Sequence, residues 1–89
     1  DAQKIIAKIN GLYPNPGAWF LFQGERYKVL KATLSDLNGQ PGTVLDTNLT
    51  IASGNKSITI QEIQRQGKNI QKATEFLLGS KIKKDLLLS

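Results

Sequence analysis

Short apolar stretches separated by turn residues fill the middle of the chain, and their spacing constrains the fold more than any other feature. Turn signals fall at residues 23–25, 41–42 and 53–56. Strands punctuated about every eight to twelve residues are typical of a small antiparallel barrel. We therefore predict an all-β barrel whose five strands lie at residues 18–23, 26–35, 41–46, 49–53 and from Ile58 to Ile63.

The first predicted strand is apolar on both faces. Trp19 and Leu21 share one face, and Phe20 and Phe22 share the other, so both faces must be covered. We assign Trp19 and Tyr27 to the core, because each is in register with an aliphatic residue of its own strand. Phe20 is then the surface candidate, available to a neighbouring domain or to a stacked base.

The second predicted strand changes phase along its length. Tyr27 and Val29 alternate in one register, whereas Ala32 and Leu34 have the opposite parity. A one-residue slip of this kind indicates a β-bulge near residues 30–31, a device that coils a strand around a small barrel.

Two short helices are predicted to flank the strands. Residues 2–11 carry apolar side chains at helical spacing, with Asp1 as a cap, and the two prolines within residues 13–17 prevent its continuation. A single short helix around Phe76 is predicted to end at Gly79.

Positive charge is concentrated near the C-terminal end. The chain holds 12 Lys and Arg against 7 Asp and Glu, a net charge of +5. Residues 65–84 carry the whole excess, since six cations there face the single acid Glu75. A charge run is often only a solvated face, but its confinement to one region favours contact with phosphates.

Composition argues against catalysis within these 89 residues, which are enough for one domain. Without Cys or His the chain lacks thiol nucleophiles, thiolate metal ligands and a side chain that titrates near neutrality. Absence of Cys and of any long apolar run favours the cytoplasm, with no membrane partner and no bound metal. The missing initiator Met suggests a fragment of a longer protein.

Four short motifs follow one another in a fixed order. They are LYPNPGAW at residues 12–19, GERYKV at 24–29, PGTVL at 41–45, and EIQ at 62–64 with Gly67-Lys68. In these motifs, spread across most of the chain, the sequence resembles the C-terminal domain of methionyl-tRNA formyltransferases. The resemblance implies an oligonucleotide-binding-like (OB-like) barrel that occupies residues 1–89 as a single domain.

The resemblance also implies a larger parent enzyme that acts in translation initiation. In that family an N-terminal Rossmann-like domain binds the donor 10-formyltetrahydrofolate and carries an Asn-His-Asp catalytic set. The parent would transfer the formyl group to initiator methionyl-tRNA, and its N-terminal catalytic domain would be a partner within the same polypeptide. No catalytic, cofactor-binding or metal-binding residue is expected in this domain.

The implied role of this domain is to hold tRNA through basic side chains. The resemblance carries that role over to Lys8, Arg26, Lys28, Lys31 and Lys68, and the charge run adds Lys81, Lys83 and Lys84. Few free aromatic residues remain, so we expect recognition of RNA backbone and shape rather than of bases. The chain departs from the family pattern at Phe20, and also at Glu25 and Asn69, where the family usually has Lys.

Two other functions fit the same sequence. The barrel also occurs in sugar-nucleotide formyltransferases and in formyl-folate-using enzymes, where it would be a linker domain that needs no basic tail. A free-standing RNA-binding OB-like module is the second alternative, and the missing initiator Met argues against it.

Overall fold

A computed structural model describes residues 1–11 and 17–88 of the chain. Its elements in chain order are α1 (Ala2–Ile9), β1 (Ala18–Phe22), β2 (Glu25–Ser35), β3 (Thr50–Ala52), β4 (Ser57–Arg65), β5 (Ile70–Lys72) and α2 (Ala73–Gly79). The strands form one curled antiparallel sheet, which confirms the predicted small all-β, OB-like fold with a short helix near each end.

The long strand β2 lies at the centre of the sheet order β1-β2-β4-β3, and β5 pairs with β4. The register between β2 and β4 shifts on both sides of Lys31, between Val29 and Ala32. This confirms the predicted bulge. Because a bulge increases local twist, β2 can pair with β1 through its first half and with β4 through nearly all of its length.

Helix α1 begins at Ala2, as its sequence predicts, and ends at Ile9, before the predicted end at residue 11. The Asp1 carboxylate accepts a hydrogen bond from the Lys4 backbone N–H at 3.0 Å. The Asn10 N–H donates to Ile6, and Gly11 follows with a φ of 76°. The predicted proline break at residues 13–17 lies outside the described residues except for Gly17. Helix α2 ends at Gly79, as predicted.

The predicted strand at residues 41–46 is wrong, because the C-terminal segment partly takes the place of a neighbouring strand. Only isolated bridges form there, from Thr43 to Leu87 and from Val44 to Ile51. The Val44 N–H donates to the Leu86 carbonyl at 2.8 Å. Strand β5 was missed, since its three side chains are all exposed and show no apolar alternation.

The core contains Phe20 rather than Trp19, which reverses the prediction for β1. Phe20 is 8% exposed, whereas Trp19 is 53% exposed. Phe20 lies opposite Tyr27 with ring centroids 5.3 Å apart, and Tyr27 packs edge-on against Phe76 at 5.5 Å. The burial of Tyr27 is confirmed. Pleating separates Trp19 from Phe20, but two apolar faces do not indicate which one is buried.

Side chains from both helices and from β1, β2 and β4 join in one hydrophobic cluster. Its largest fully buried members include Leu49, Ile60 and Ile63. Ile5, Ile6 and Ile9 of α1 pack against the cluster. No described helix is long and apolar enough to cross a membrane.

A carboxylate fixes the turn that leads into β3. Asp46 accepts hydrogen bonds from the Asn48 N–H at 2.9 Å, the Thr50 N–H at 3.1 Å and the Thr50 hydroxyl at 2.8 Å. Between them Leu49 is fully buried with a φ of 63°. Partial burial opposes ionisation, but the hydrogen bonds and the charge of Lys84 outweigh it, and the pKa of Asp46 is lowered.

Replacing Asp46 by alanine is expected to destabilise the domain by about 1–3 kcal/mol, because it removes charge-assisted hydrogen bonds. Since the pKa of Asp46 is lowered in the folded state, its contribution is present above about pH 4 and is lost as the pH falls through the lowered value. Urea unfolding at neutral and strongly acidic pH measures both effects. Asp36→Ala is the control, because that side chain is 93% exposed and its ion pair with Lys56 adds little. Equal losses in the two variants would contradict this role.

Candidate functional site

A groove lined by cations runs between the end of α1 and the outer face of the sheet. Its volume is about 470 Å³. We call it the basic groove, and its main side chains are Lys8, Trp19, Arg26, Lys28, Gln64 and Gln66.

The sheet register places four of these side chains. Trp19 lies directly opposite Lys28, and Lys28 lies opposite Gln64, so the three form one row across β1, β2 and β4. Arg26 is two residues before Lys28 and therefore shares its face. Beyond the end of β4, the Gln66 N–H donates to the Arg26 carbonyl at 2.9 Å.

Lys8 reaches this row because the end of α1 is bonded to the start of β1. The Lys8 carbonyl accepts hydrogen bonds from the N–H groups of Gly11, at 3.1 Å, and Gly17, at 2.6 Å. Gly17 has a φ of 95°, a backbone conformation that residues other than glycine rarely adopt. The left-handed turn at Gly17 thus aligns the helix end with the strand that carries Trp19.

Trp19 and Arg26 form a cation–π pair at the centre of the basic groove. The guanidinium carbon lies 4.1 Å from the centroid of the indole ring. Both residues are exposed. A guanidinium over an aromatic ring places a positive charge beside a planar apolar surface, which is a common arrangement in nucleic-acid binding.

The charge of the basic groove has one sign. Lys8, Arg26 and Lys28 contribute three cations, and no carboxylate occurs among the described residues that line it. Gln64 supplies an amide, whose Nε2 donates to the Lys68 carbonyl at 3.0 Å. The groove therefore favours an anion that also presents hydrogen-bonding groups.

The other predicted cations lie elsewhere. Lys68 and Lys81 line a second cavity of about 820 Å³ together with Glu25 and Arg65. The Arg65 guanidinium donates to Glu25 at 2.9 Å, and Arg65, with a smaller effect of Lys68, lowers the pKa of Glu25. Glu25 thus offsets positive charge on this surface.

The remaining three cations belong to neither of these two linings. Lys31 lines a third cavity and lies opposite Glu62 across the bulge. Lys83 and Lys84 are exposed on the segment after α2. The charge of Lys84 contributes to the lowered pKa of Asp46. The structure therefore brings together Lys8, Arg26 and Lys28, whereas Lys31, Lys68, Lys81, Lys83 and Lys84 are not among the described residues that line the basic groove.

Sequence reasoning missed Trp19, Gln64 and Gln66 as members of the site. Trp19 was missed because it was assigned to the core. A two-residue turn at residues 23–24 would have predicted that Trp19 lies opposite Lys28. Gln64 was noted only as the last residue of the EIQ motif, and Gln66 carried no signal, because the position of both in the groove depends on pairing with β2. Among the described residues no group of three or more Asp, Glu, His or Cys could hold a metal ion.

A curled antiparallel sheet with short flanking helices and a basic groove defines a small OB-like domain. Residues 1–81 match the sequence model of the family described as formyl transferase, C-terminal domain. The chain belongs to this family.

Several relatives can be aligned with most of this chain. Over 83 residues it is 58% identical to the methionyl-tRNA formyltransferase of Pelagibacter ubique, covering 92% of this chain and 27% of the relative. The enzymes of the same name from Paramagnetospirillum magneticum and Ruegeria pomeroyi are 43% and 47% identical, with 99% and 88% of this chain covered. The chain spans 29% and 26% of their lengths.

Proposed function

We propose that this domain binds tRNA as the C-terminal part of a methionyl-tRNA formyltransferase. The parent would transfer a formyl group from 10-formyltetrahydrofolate to initiator methionyl-tRNA in the cytoplasm. Family membership and the names of the relatives support this reading of the parent. The domain would contribute binding, and a catalytic domain of the same polypeptide would contribute the chemistry.

The observation that carries the proposal is the convergence of Lys8, Arg26 and Lys28 on one groove, with no carboxylate among the lining residues that the structure describes. Cations clustered in this way release counterions from a phosphate backbone, and that release is the main source of affinity in sequence-independent binding. The three cations come from two elements, α1 and β2, that are separated in sequence and meet only in the folded domain, which a merely solvated surface does not require. The neutral row partners Trp19 and Gln64 are suited to the sugar and base surfaces beside the phosphates.

The five cations outside the basic groove would act as secondary contacts. Lys81, Lys83 and Lys84 lie on one exposed segment and can follow a phosphate backbone beyond the groove. Lys68 shares its cavity with Glu25, and Lys31 lies opposite Glu62, so each acts in a weaker positive field. We expect each of these contacts to add less affinity than a cation of the groove.

Salt dependence of tRNA binding tests the proposal. If four or five phosphates are neutralised, log affinity should fall against log salt concentration with a slope of about −3 to −4. Initiator and elongator tRNA should bind similarly, because phosphate contacts do not read bases. Filter binding over a range of salt concentrations measures the slope. A chain that is folded but shows no salt-dependent binding of tRNA would contradict the proposal and favour a linker role.

A further inference from the structure

We propose that the Trp19–Arg26 pair is a stacking platform for one unpaired nucleobase of the bound RNA. This inference rests on the proposed function and goes beyond it, since it names the part of the RNA that the basic groove would take. It also replaces the expectation, based on a buried Trp19, that the domain contacts backbone and shape alone.

The exposure of Trp19 is the first support. Trp19 is 53% exposed although it lies within a paired strand, opposite Lys28. The Arg26 guanidinium carbon lies 4.1 Å from the ring centroid, over one face of the indole, so a base would stack on the guanidinium or on the opposite face of the ring. Nucleobases stack on aromatic rings and on guanidinium planes alike.

The surroundings of the pair fit a nucleotide. Lys8 and Lys28 can hold the adjoining phosphates, and the amides of Gln64 and Gln66 can hydrogen-bond to a base edge. The Gln64 amide is fixed by its bond to the Lys68 carbonyl. Charge, planar surface and amide groups therefore occur together within one lining.

Stacking geometry restricts the ligand to an unpaired base. The groove volume of about 470 Å³ is sufficient for one nucleobase. Within a double helix both faces of a base are covered by its neighbours, so only a base in a loop, bulge or single-stranded end can present a face to Trp19. A protein segment on the same ring is the competing occupant, but three surrounding cations favour RNA.

Fluorescence of Trp19 provides a direct test, because it is the only Trp in the chain. Single-stranded oligoadenylate and tRNA should quench this fluorescence, whereas a fully paired RNA duplex of equal charge should bind without the same quenching. Equal quenching by the duplex, or none by the single strand, would overturn the proposal.

Affinity measurements separate stacking from charge. Trp19→Leu should weaken binding of tRNA about 5- to 100-fold, and Trp19→Phe less, with the salt slope unchanged in both because stacking releases no counterions. Leu21→Ala, at a neighbouring exposed position, should bind like the parent, and circular dichroism should show each variant folded. If Trp19→Leu binds tRNA with the affinity and the salt slope of the parent, the stacking platform is contradicted but the proposed tRNA binding is not. Absence of salt-dependent binding in the parent would overturn the proposed function as well.

Discussion

Replacement of Phe20 by alanine is expected to unfold much of the domain at physiological temperature. Phe20 is buried, stacks on Tyr27 at 5.3 Å and, through Tyr27, connects β1 to Phe76 of α2. Truncation of a buried Phe costs about 3–5 kcal/mol, which is a large part of the roughly 5–10 kcal/mol expected for a domain of this size. The Tm should fall by at least about 12 °C.

Trp19→Ala is the matched control for Phe20→Ala. The two residues are adjacent in β1, and the substitutions remove side chains of similar size from opposite faces of the sheet. Since Trp19 is 53% exposed, its removal should cost far less stability. Thermal unfolding followed by circular dichroism measures both. A larger loss in Trp19→Ala than in Phe20→Ala would contradict the orientation of β1.

The difference between these neighbours illustrates what the sequence could predict. Local patterns were sufficient for α1, α2 and the bulge near Lys31, because each depends on caps or phase within one segment. The faces of β1 depend instead on the turn. Gln23 and Gly24, with φ values of 52° and 77°, form a two-residue hairpin loop, so Phe20 meets Tyr27 and Trp19 meets Lys28. From the sequence, Glu25 was assigned to the turn, although it is the first residue of β2, and this pairing of β1 with β2 was therefore not predicted.

Tertiary pairing accounts for the other strand errors. Residues 41–46 have the composition of a strand, but their hydrogen bonds are shared between Thr50 and Ala52 on one side and the C-terminal segment on the other. β5 exists because Ile70, Gln71 and Lys72 pair with β4, not because of their own pattern. The hydrogen bonds of Gly42 and Val44 with the C-terminal segment join residues far apart in sequence. β5 is defined by its hydrogen bonds to β4 and not by apolar alternation, so periodicity alone could reveal neither pairing.

The candidate site was predictable in its residue types but not in its arrangement. Lys8, Arg26 and Lys28 could be selected from the sequence as cations. Their meeting depends on the bond from Gly17 to Lys8 and on the pairing of β1 with β2. The C-terminal lysines are close together in sequence and looked like the stronger patch, whereas the groove is assembled only by folding.

Simultaneous replacement of Lys8, Arg26 and Lys28 by alanine is expected to have the largest effect on RNA binding. Loss of three phosphate contacts should make the slope of log affinity against log salt concentration less negative by about 2 to 3 units. At low salt the same loss should weaken binding by more than about tenfold. Exposed cations contribute little to folding, so thermal stability should change only slightly.

The most direct test of the account is therefore the salt slope of tRNA binding in two triple variants measured side by side. One lacks the groove cations Lys8, Arg26 and Lys28, and the other lacks the tail cations Lys81, Lys83 and Lys84, so both lose the same formal charge. We predict that the groove variant flattens the slope by about 2 to 3 units and that the tail variant flattens it by about 1. A larger change in the tail variant, with the groove variant binding like the parent, would contradict the basic groove as the tRNA-binding site.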